Sequence, residues 1–486
     1  MVPEDRVAAV NAAPVRGEGL YVLHWMIAHR RRHWNYALEH AVGWAQRLGK
    51  PLVVCEYLRS GHPWSCARVH RLVIEGMCDQ RTDFADSPVH YLPVVDAGHG
   101  AGAAIVRRLL SEAAIVIADE FPTYVHPRMV AALAAEAPCR VETVDANGLL
   151  PLRATTAAPQ RAVDFRRILQ RLLPRHLQRL PRPDPLAGVT LPRLTSPLPP
   201  ASDLEALLAP GGLQALPIDH AVPPVALRGG ARAARAALAA FVAGPIDRYH
   251  SDRGDPVHGV ASGLSPWLHL GQLSVHEVVD AIWRRCQWQP DRLSAAAHGR
   301  KDGWWGLPPG PEAFLDELVT WRELGYHFAF HRPDHAAYES LPDWALETLD
   351  RHRADPRPQC YPLAVLERAE TEDPLWNAAQ RQLLASGVIH NYLRMLWGKK
   401  VIEWSESPEA AWAALDHLNN RWAIDGCNPN SWTGISWCFG RFDRPWFPER
   451  PIFGTVRWMS SAAARRKFDV DAYIARWSAL RSPCAG

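Results

Sequence analysis

The sequence has no long hydrophobic run and little net charge of either sign. No apolar segment in the 486 residues approaches the roughly 20 residues that a membrane-spanning helix needs, so we expect no membrane partner. The formal net charge is only +3, and a partner carrying phosphates would need a local basic face. Nine cysteines form no C-x-x-C pair, and no secretory signal pattern is visible, which favours a cytoplasmic location.

Motifs of hydrolytic and metal chemistry are also missing. The chain contains no H-E-x-x-H and no G-x-S-x-G segment, so nothing supports a hydrolase. His327, His331 and His335 recur every four residues, but Pro333 interrupts the helical pattern and no carboxylate completes a ligand set. We therefore expect no metal site.

Three successive sequence patterns divide the chain into three parts. Residues 1–150 alternate β-branched runs with helical segments, which predicts an α/β domain with a five-stranded parallel, doubly wound sheet. The predicted strands are Leu20–Met26, Leu52–Cys55, Tyr91–Val95, Ile115–Ala118 and Val141–Val144. Residues 151–244 are rich in proline and predict an extended interdomain connector. Residues 245–486 have helical periodicity almost throughout, which predicts a large all-helical domain.

The second half of the chain is rich in tryptophan and carries six specific segments. Of 21 tryptophans most lie beyond residue 260, which suits core packing, electron movement or stacking on bases. The segments are Ser262–Gln272 (SGLSPWLHLGQ), Asp373–Gln380 (DPLWNAAQ), Ile389–Trp397 (IHNYLRMLW), Ile424–Asn430 (IDGCNPN), Glu449–Gly454 (ERPIFG) and Arg466–Tyr473 (RKFDVDAY). In content and order they resemble the photolyase and cryptochrome family, the last three its class II branch.

The resemblance implies a light-driven DNA repair enzyme, a photolyase that splits cyclobutane pyrimidine dimers. The family binds FAD in its helical domain, and an excited reduced flavin lends one electron to the dimer. The expected partner is UV-damaged DNA, and we expect a monomer. A lesion inside a duplex cannot reach a buried flavin, so it has to be flipped into a pocket.

The family's pattern implies a set of residues around the flipped lesion. Glu317, in DELVTWRE, would donate a hydrogen bond to the dimer's carbonyl edge, which requires a protonated carboxyl and a pKa raised by burial. Trp321 lies four residues further on and so shares its helical face. Trp437 and Met395 would complete the pocket.

The same pattern implies the flavin contacts. Arg394 and Asp425 would form an ion pair beside the flavin ring, where the guanidinium stabilises negative charge. Asn419 or Asn430 would face the reactive nitrogen, and the class II pattern favours Asn419. The remaining cofactor contacts implied are Tyr249, Leu264, Ser265, Pro266, Leu268 and Gln272.

Two further sets follow from the resemblance. Trp376, Trp397 and Trp404 occupy the positions of the family's electron-transfer tryptophans, which reduce an oxidised flavin from the surface. Arg253, Arg441 and Arg457 are the implied contacts to DNA phosphates, which set affinity without reading sequence.

The amino-terminal domain departs from the family. Ile27–Arg32 (IAHRRR) occupies the place of a Ser-Arg-Asp-Gln-Arg-like run, and Trp34 that of an aspartate. Because this domain would bind a second, antenna pigment, an 8-hydroxy-deazaflavin, a folate and no pigment all stay open.

Two alternative functions are weighed against dimer repair. The first is a cryptochrome-like blue-light receptor, which has no need to keep Glu317 together with both pocket tryptophans. The second is repair of 6-4 photoproducts, which uses a histidine where this chain has Met395. Both alternatives are disfavoured by these residues.

Overall fold

The computed structural model describes residues 2–98 and 100–478. Its amino-terminal part is an α/β domain, and its carboxy-terminal part is largely helical, as the sequence patterns predict. In the part of the chain that is described, no helix is both long and apolar enough to cross a membrane.

The α/β domain is built on one mixed sheet. Its strands are β1 (Val7–Ala9), β2 (Tyr21–Met26), β3 (Leu52–Leu58), β4 (Val89–Val95), β5 (Ala113–Asp119) and β6 (Arg140–Val144), and its helices are α1 (Tyr36–Leu48), α2 (Ala67–Phe84), α3 (Ala101–Glu112) and α4 (His126–Glu136). The strand order is β1-β6-β5-β2-β3-β4, with all neighbours parallel except β1 and β6. The central strands β2, β3 and β5 are buried along their full length, as expected for a sheet covered on both faces.

The five predicted parallel strands are confirmed, and β1 is an addition. This strand has only three residues, too few to show alternation, and it pairs with β6 in antiparallel register from Val7 opposite Val144. The expected class, a parallel doubly wound sheet followed by an all-helical body, is confirmed.

Residues 151–244 contain α5 (Ala162–Leu177), α6 (Leu204–Leu208) and α7 (Ala231–Ala243), with irregular chain between them. Phe165 and Leu169 of α5 are buried in the same core as Phe314 and Val319 of the helical part. The helices at the two ends of the predicted connector therefore pack on the helical body, and the domain limits at 150 and 244 stay predictions.

The helical part consists of α8 (Tyr249–Asp252), α9 (Ser265–His269), α10 (Val275–Arg285), α11 (Pro309–Leu315), α12 (Arg322–His331), α13 (Asp343–Arg351), α14 (Leu363–Glu367), α15 (Pro374–Ser386), α16 (Asn391–Trp404), α17 (Pro408–Trp422), α18 (Pro429–Cys438), α19 (Ser461–Ala464) and α20 (Val470–Ser478). A π-helical stretch, Asp316–Trp321, joins α11 to α12.

Local signals explain where these helices begin and end. The Ser407 hydroxyl accepts from the Ala410 amide 3.1 Å away and caps α17, with Pro408 at the first helical position. Gly387, in the left-handed region at φ 72°, ends α15, because residues with a Cβ rarely adopt this conformation. The glycine thereby divides the long helical pattern of residues 376–404 in two.

Candidate functional site

A cavity of about 730 Å³ lies inside the helical part and opens to solvent. We call it the helical cavity. Its lining comes from elements far apart in sequence: Tyr249, Ser262, Ser265, Leu268, His269, Phe314, Glu317, Leu318, Arg322, Tyr326, Arg394, Asp425, Asn428 and Asn430. Charged and polar groups therefore converge on a concave space from α8, α9, α11, α12, α16 and α18, which is the arrangement of a ligand site.

The π-helical stretch places several of these groups. Phe314, Leu318 and Arg322 follow one another at intervals of four residues and all border the cavity. Glu317 lies beside Leu318, so the same turn presents both a carboxyl group and an apolar surface. Insertions of this kind into α-helices are frequent at functional sites because they redirect side chains locally.

An ion pair joins α16 to the segment before α18. Arg394 Nη2 lies 3.0 Å from Asp425 Oδ1. Burial acts to raise the pKa of Asp425, but the neighbouring Arg394 guanidinium outweighs it and the pKa is lowered. Asn428 Nδ2 and Ser431 Oγ donate to the backbone carbonyl of Asp425 at 2.9 and 3.2 Å. The carboxylate is therefore ionised and held in one position.

Among the residues that the structure describes, two buried nitrogens at the cavity wall have no hydrogen-bond partner. They are Nε of Arg394 and Nδ1 of His269. Burial lowers the pKa of His269 to about 4, so its ring is neutral near pH 7. Unpaired buried polar groups are costly; the Arg394 Nε–H is a donor, whereas His269 Nδ1 donates or accepts according to its tautomer, so both fit a ligand that brings acceptors and donors. A flavin ring with carbonyl oxygens and ring nitrogens is such a ligand.

Of the predicted lesion residues, Glu317 borders this cavity, whereas Trp321, Trp437 and Met395 are not among its lining residues. Burial raises the pKa of Glu317, and an ion pair with Arg253 opposes that shift. The rings of Trp321 and Trp437 stack with centroids 4.5 Å apart and planes inclined by 26°. Met395 is half-buried against the carboxy-terminal core. The structure thus places Glu317 at the cavity wall and brings the two tryptophans together.

The three predicted relay tryptophans form one buried cluster. The rings of Trp376 and Trp397 are nearly parallel at a centroid distance of 6.2 Å, and Trp404 meets Trp376 edge-on at 5.6 Å. The indole N–H of Trp376 donates to the carbonyl of Trp397 at 3.0 Å, and that of Trp397 to Gln380 Oε1 at 2.9 Å. Both inner rings are therefore held in fixed orientations.

The ends of this cluster reach the two places that a relay has to connect. Trp397 borders a space of about 280 Å³ together with Arg394, Asn419 and Asn430. At the other end, Trp404 borders an open surface groove. Asn430 also borders the helical cavity and Asn419 only the smaller space, so both stay candidates for the amide that faces the flavin.

Several predicted cofactor residues are placed differently from the expectation. Gln272 is 1% exposed, and its amide joins backbone groups of two helices by donating to Leu72 O at 2.9 Å and accepting from Gly230 N at 2.7 Å. Both ends of the amide are used within the protein, so the structure lends no support to Gln272 as a cofactor contact, which stays a prediction. Leu264 and Pro266 lie in the core behind Ser265 and do not border the cavity.

Two of the predicted DNA contacts are accessible to solvent and one is buried. Arg457 is exposed with its guanidinium 4.9 Å from the Trp446 ring, and Arg253 is partly exposed. Arg441 is 2% exposed, lies over Phe328 at 4.7 Å and donates to the carbonyl of Ser340. The guanidinium of Arg441 is buried with partners inside the protein, so the structure lends no support to a phosphate contact there, which stays a prediction.

The sequence reasoning missed several residues of the cavity wall. Arg322 donates to the carbonyl of Asn147 at 2.7 Å and lies over the Tyr326 ring at 4.2 Å, so it connects the α/β domain to the cavity. Its interval of four residues from Leu318 was an available signal. His269 and Asn428 sit inside matched segments but were not singled out, and Ser262 begins one of them.

A second cavity, of about 830 Å³, lies between the α/β domain and the helical part. We call it the interdomain cavity. Residues at the carboxyl ends of strands line it, among them Ile27, Tyr57 and Phe121, which is where α/β sheets bind ligands. The wall also contains Trp64, Tyr124 and Cys427, non-glycine residues held at φ of 67°, 62° and 58°. Such strained residues cluster at ligand sites.

The two cavities share one loop, residues 423–428, which we call the dividing loop. Ala423, Ile424, Gly426 and Cys427 line the interdomain cavity, whereas Asp425 and Asn428 line the helical cavity. His269 borders both cavities. Among the described residues, no group of three or more His, Cys, Asp or Glu side chains is arranged to hold a metal ion.

A mostly parallel α/β domain joined to a helical body with a polar cavity defines a two-domain protein with a candidate ligand site in its helical part. Comparison with known proteins gives the family. A deoxyribodipyrimidine photo-lyase of Methanothermobacter thermautotrophicus is 32% identical over 481 residues, which cover 98% of each chain. One of Oryza sativa subsp. japonica is 33% identical over 477 residues, covering 93% of this chain and 86% of its own.

The chain therefore belongs to the deoxyribodipyrimidine photolyase family of enzymes. A solved class III photolyase from Agrobacterium tumefaciens shares the fold, with a TM-score of 0.69 over 97% of this chain and 87% of its own. Its 18% sequence identity supports the fold alone. No family model matches the chain.

Proposed function

We propose that this enzyme repairs cyclobutane pyrimidine dimers in UV-damaged DNA by light-driven electron transfer, as a class II photolyase. The observation that carries the proposal is the helical cavity itself. It combines the Arg394–Asp425 ion pair with a carboxyl group, Glu317, whose burial favours its protonated form.

FAD is the proposed cofactor of the helical cavity. Arg394 would hold the flavin ring through its unpaired Nε, while Asp425 fixes the guanidinium from the other side. Tyr249, Ser265 and Leu268 would contact the rest of the cofactor. When bound and reduced, the flavin supplies the electron that light drives into the lesion. The residues themselves bind, orient and exclude water.

Glu317 is the proposed hydrogen-bond donor to the lesion. A protonated carboxyl donates to a carbonyl oxygen of the dimer and stabilises the negative charge that develops there. The tryptophan pair at 321 and 437 offers an aromatic surface beside that position. Met395 occupies the position at which repair of 6-4 photoproducts uses a histidine, which supports dimers as the substrate.

Trp404, Trp376 and Trp397 are the proposed path for electrons from the surface. Their ring separations of 5.6 and 6.2 Å form an unbroken aromatic contact from an open groove to the vicinity of Arg394. This path would restore the reduced cofactor after oxidation and is separate from the repair step.

The interdomain cavity is the proposed site of a second, light-collecting pigment. Its wall is mostly apolar and aromatic, as a flat conjugated ring system requires. A pigment there would pass energy and not electrons, which fits a wall with few charged groups. An 8-hydroxy-deazaflavin and a folate are the two candidate pigments.

We further propose a monomer with limits near residues 150 and 244 between the antenna-type domain, the connector and the catalytic domain. Arg253 and Arg457 would contact phosphates around the cavity mouth. The test of the whole proposal is illumination of the purified, reduced protein with an oligonucleotide that contains one thymine dimer.

Restored thymines are scored by chromatography against a dark control and against an oligonucleotide carrying a 6-4 photoproduct. Repair of the dimer alone supports the proposal. Repair of neither lesion, or a protein that cannot be loaded with flavin, contradicts it.

A further inference from the structure

Arg253 and Glu317 form an ion pair at the mouth of the helical cavity, although each has a different proposed partner during repair. The phosphate contact requires a free guanidinium at 253, and the lesion contact requires a protonated carboxyl at 317. Both requirements conflict with a pair in which each group is charged and satisfied by the other. The geometry of the DNA-free protein therefore differs from the one that the reaction needs.

The surroundings of the Arg253 side chain favour its separation from Glu317. The side chain of Arg253 is 38% exposed and that of Glu317 is 29% exposed, so the pair lies at the boundary with solvent. Among the described residues, the other partner of the guanidinium is Tyr249, whose ring it overlies at 5.7 Å and whose hydroxyl it also contacts. The backbone of Arg253 is held separately, since His390 Nε2 lies 3.0 Å from its carbonyl oxygen. We expect a change of side-chain rotamer, without movement of the backbone, to turn the cation outward.

We propose that Arg253 is an exchangeable counter-ion that keeps Glu317 ionised until DNA binds. This inference rests on the proposed function. A DNA phosphate near the cavity mouth takes Arg253 away, and the incoming lesion displaces water from Glu317. The carboxylate, left without its cation and facing a carbonyl oxygen, takes up one proton from solvent and becomes the donor.

The charges balance in this exchange. The guanidinium of Arg253 keeps its protons and moves from a carboxylate to a phosphate oxygen. Glu317 gains one proton from the buffer, and no covalent bond changes. Arg253 thereby acts as a positioning residue, because it sets the protonation state of Glu317 through its own choice of partner.

The other titratable and charged groups around Glu317 do not alter its pairing with Arg253. Asp316, its neighbour, is paired with Arg166 of α5 at 2.8 and 3.0 Å, so the two nearly cancel. Across the cavity Arg394 is paired with Asp425 at 3.0 Å, and His269 is neutral near pH 7. Tyr249 is neutral too, because burial raises its pKa to about 12. Of the remaining groups at the cavity wall, Arg322 donates to the carbonyl of Asn147.

Burial and the paired cation act on Glu317 in opposite directions. Burial raises the pKa of this carboxyl, and Arg253 is the largest influence that lowers it. Removal of the cation therefore moves the pKa upward, and so does loss of the remaining water. Between the lower pKa of the free protein and the higher one of the complex, DNA binding takes up a proton and log K falls as pH rises.

Calorimetry can count this proton. The full, flavin-loaded protein is titrated in the dark with a dimer-containing duplex, in buffers that differ in ionisation enthalpy but share one pH. The slope of the observed heat against ionisation enthalpy is the number of protons taken up. We expect uptake approaching one proton per duplex in excess over Glu317→Gln, which has no carboxyl to protonate.

Two arginine variants separate the counter-ion from an ordinary phosphate contact. Arg253→Ala and Arg457→Ala should each lower the salt dependence of binding by about one unit, because each removes one phosphate contact. Only Arg253→Ala should also reduce proton uptake, because its Glu317 is already closer to protonated before binding. Arg253→Lys keeps a cation and should keep the uptake.

The inference is overturned if wild type and Glu317→Gln take up equal numbers of protons, or if Arg253→Ala keeps wild-type uptake. Both results leave the proposed function intact when the same wild-type preparation still restores thymines under light. Failure of the wild type to repair a dimer is the different result that removes the proposed function, and this inference with it.

Discussion

The two cavities of this protein are similar in volume and opposite in chemistry. The helical cavity contains an ion pair, a second carboxyl group and unpaired buried nitrogens. The interdomain cavity is lined mainly by apolar and aromatic side chains, with strained backbone at three of them. Charge is expensive to bury and is retained where it stabilises charge that appears during a reaction. This difference is what the proposed function requires, with chemistry in the first cavity and light collection in the second.

The largest expected effect comes from breaking the ion pair of the helical cavity. Arg394→Ala leaves Asp425 buried without its cation, which should cost roughly 2–3 kcal/mol of unfolding free energy, less than a fully buried pair because Arg394 keeps some exposure. Flavin binding should be lost with it. Denaturant unfolding and the flavin absorbance of the purified variant measure both effects. Arg394→Ala with Asp425→Asn should regain part of the stability but not the flavin, and equal loss in both variants would contradict this account.

A smaller effect, confined to repair, is expected at Glu317. Glu317→Ala should bind flavin normally and repair dimers roughly ten- to thirty-fold more slowly, since one hydrogen bond to developing charge is worth about 1.5–2 kcal/mol. Because the protonated form is the active one, wild-type repair should fall as pH rises through the raised pKa of this carboxyl. Glu317→Gln should show no such fall. The repair yield per absorbed photon, measured across a range of pH for wild type and both variants, tests this prediction.

Variants of the relay tryptophans test whether photoreduction of the flavin is separate from repair. Trp397→Phe should slow photoreduction of the oxidised flavin strongly, because Trp397 is the ring of the cluster that borders the space beside Arg394. Repair by enzyme reduced chemically beforehand should be unchanged. Trp412→Phe, a buried tryptophan outside the cluster, is the matched control. A Trp397→Phe protein that photoreduces at the wild-type rate would remove the relay from the proposal.

The smallest effect is expected in the interdomain cavity. Val69→Phe places a larger side chain into its wall and should exclude the pigment at a stability cost of about 1–3 kcal/mol. Repair under light that the flavin itself absorbs should not change, while repair at pigment wavelengths should disappear. An action spectrum of both proteins measures this. Loss of repair at every wavelength would show that the interdomain cavity takes part in the chemistry.

Most of the fold could be predicted from local patterns. The five parallel strands are continuous buried runs, and α17 carries its own capping residue and proline. Strand β1 could not be found in this way, because three residues have no period and depend on β6 for their pairing.

The candidate site was predictable to the level of segments and less so for single side chains. The family resemblance implied that Arg394, Asp425 and Glu317 lie around one ligand site, and the structure brings all three to one cavity. Sequence alone could not show that Arg441 and Gln272 turn inward, because which side of the chain faces the core depends on distant partners such as Phe328 and Leu72. The same reason kept Arg322 out of the prediction.

The dividing loop makes the chemistry of one cavity inseparable from the contents of the other. Within six residues the loop borders the interdomain cavity at four positions and the helical cavity at Asp425 and Asn428, so a shift of the loop at Ile424 or Cys427 would also displace Asp425. With the proposed pigment and flavin bound, a change of pigment would therefore require compensating changes at the flavin site.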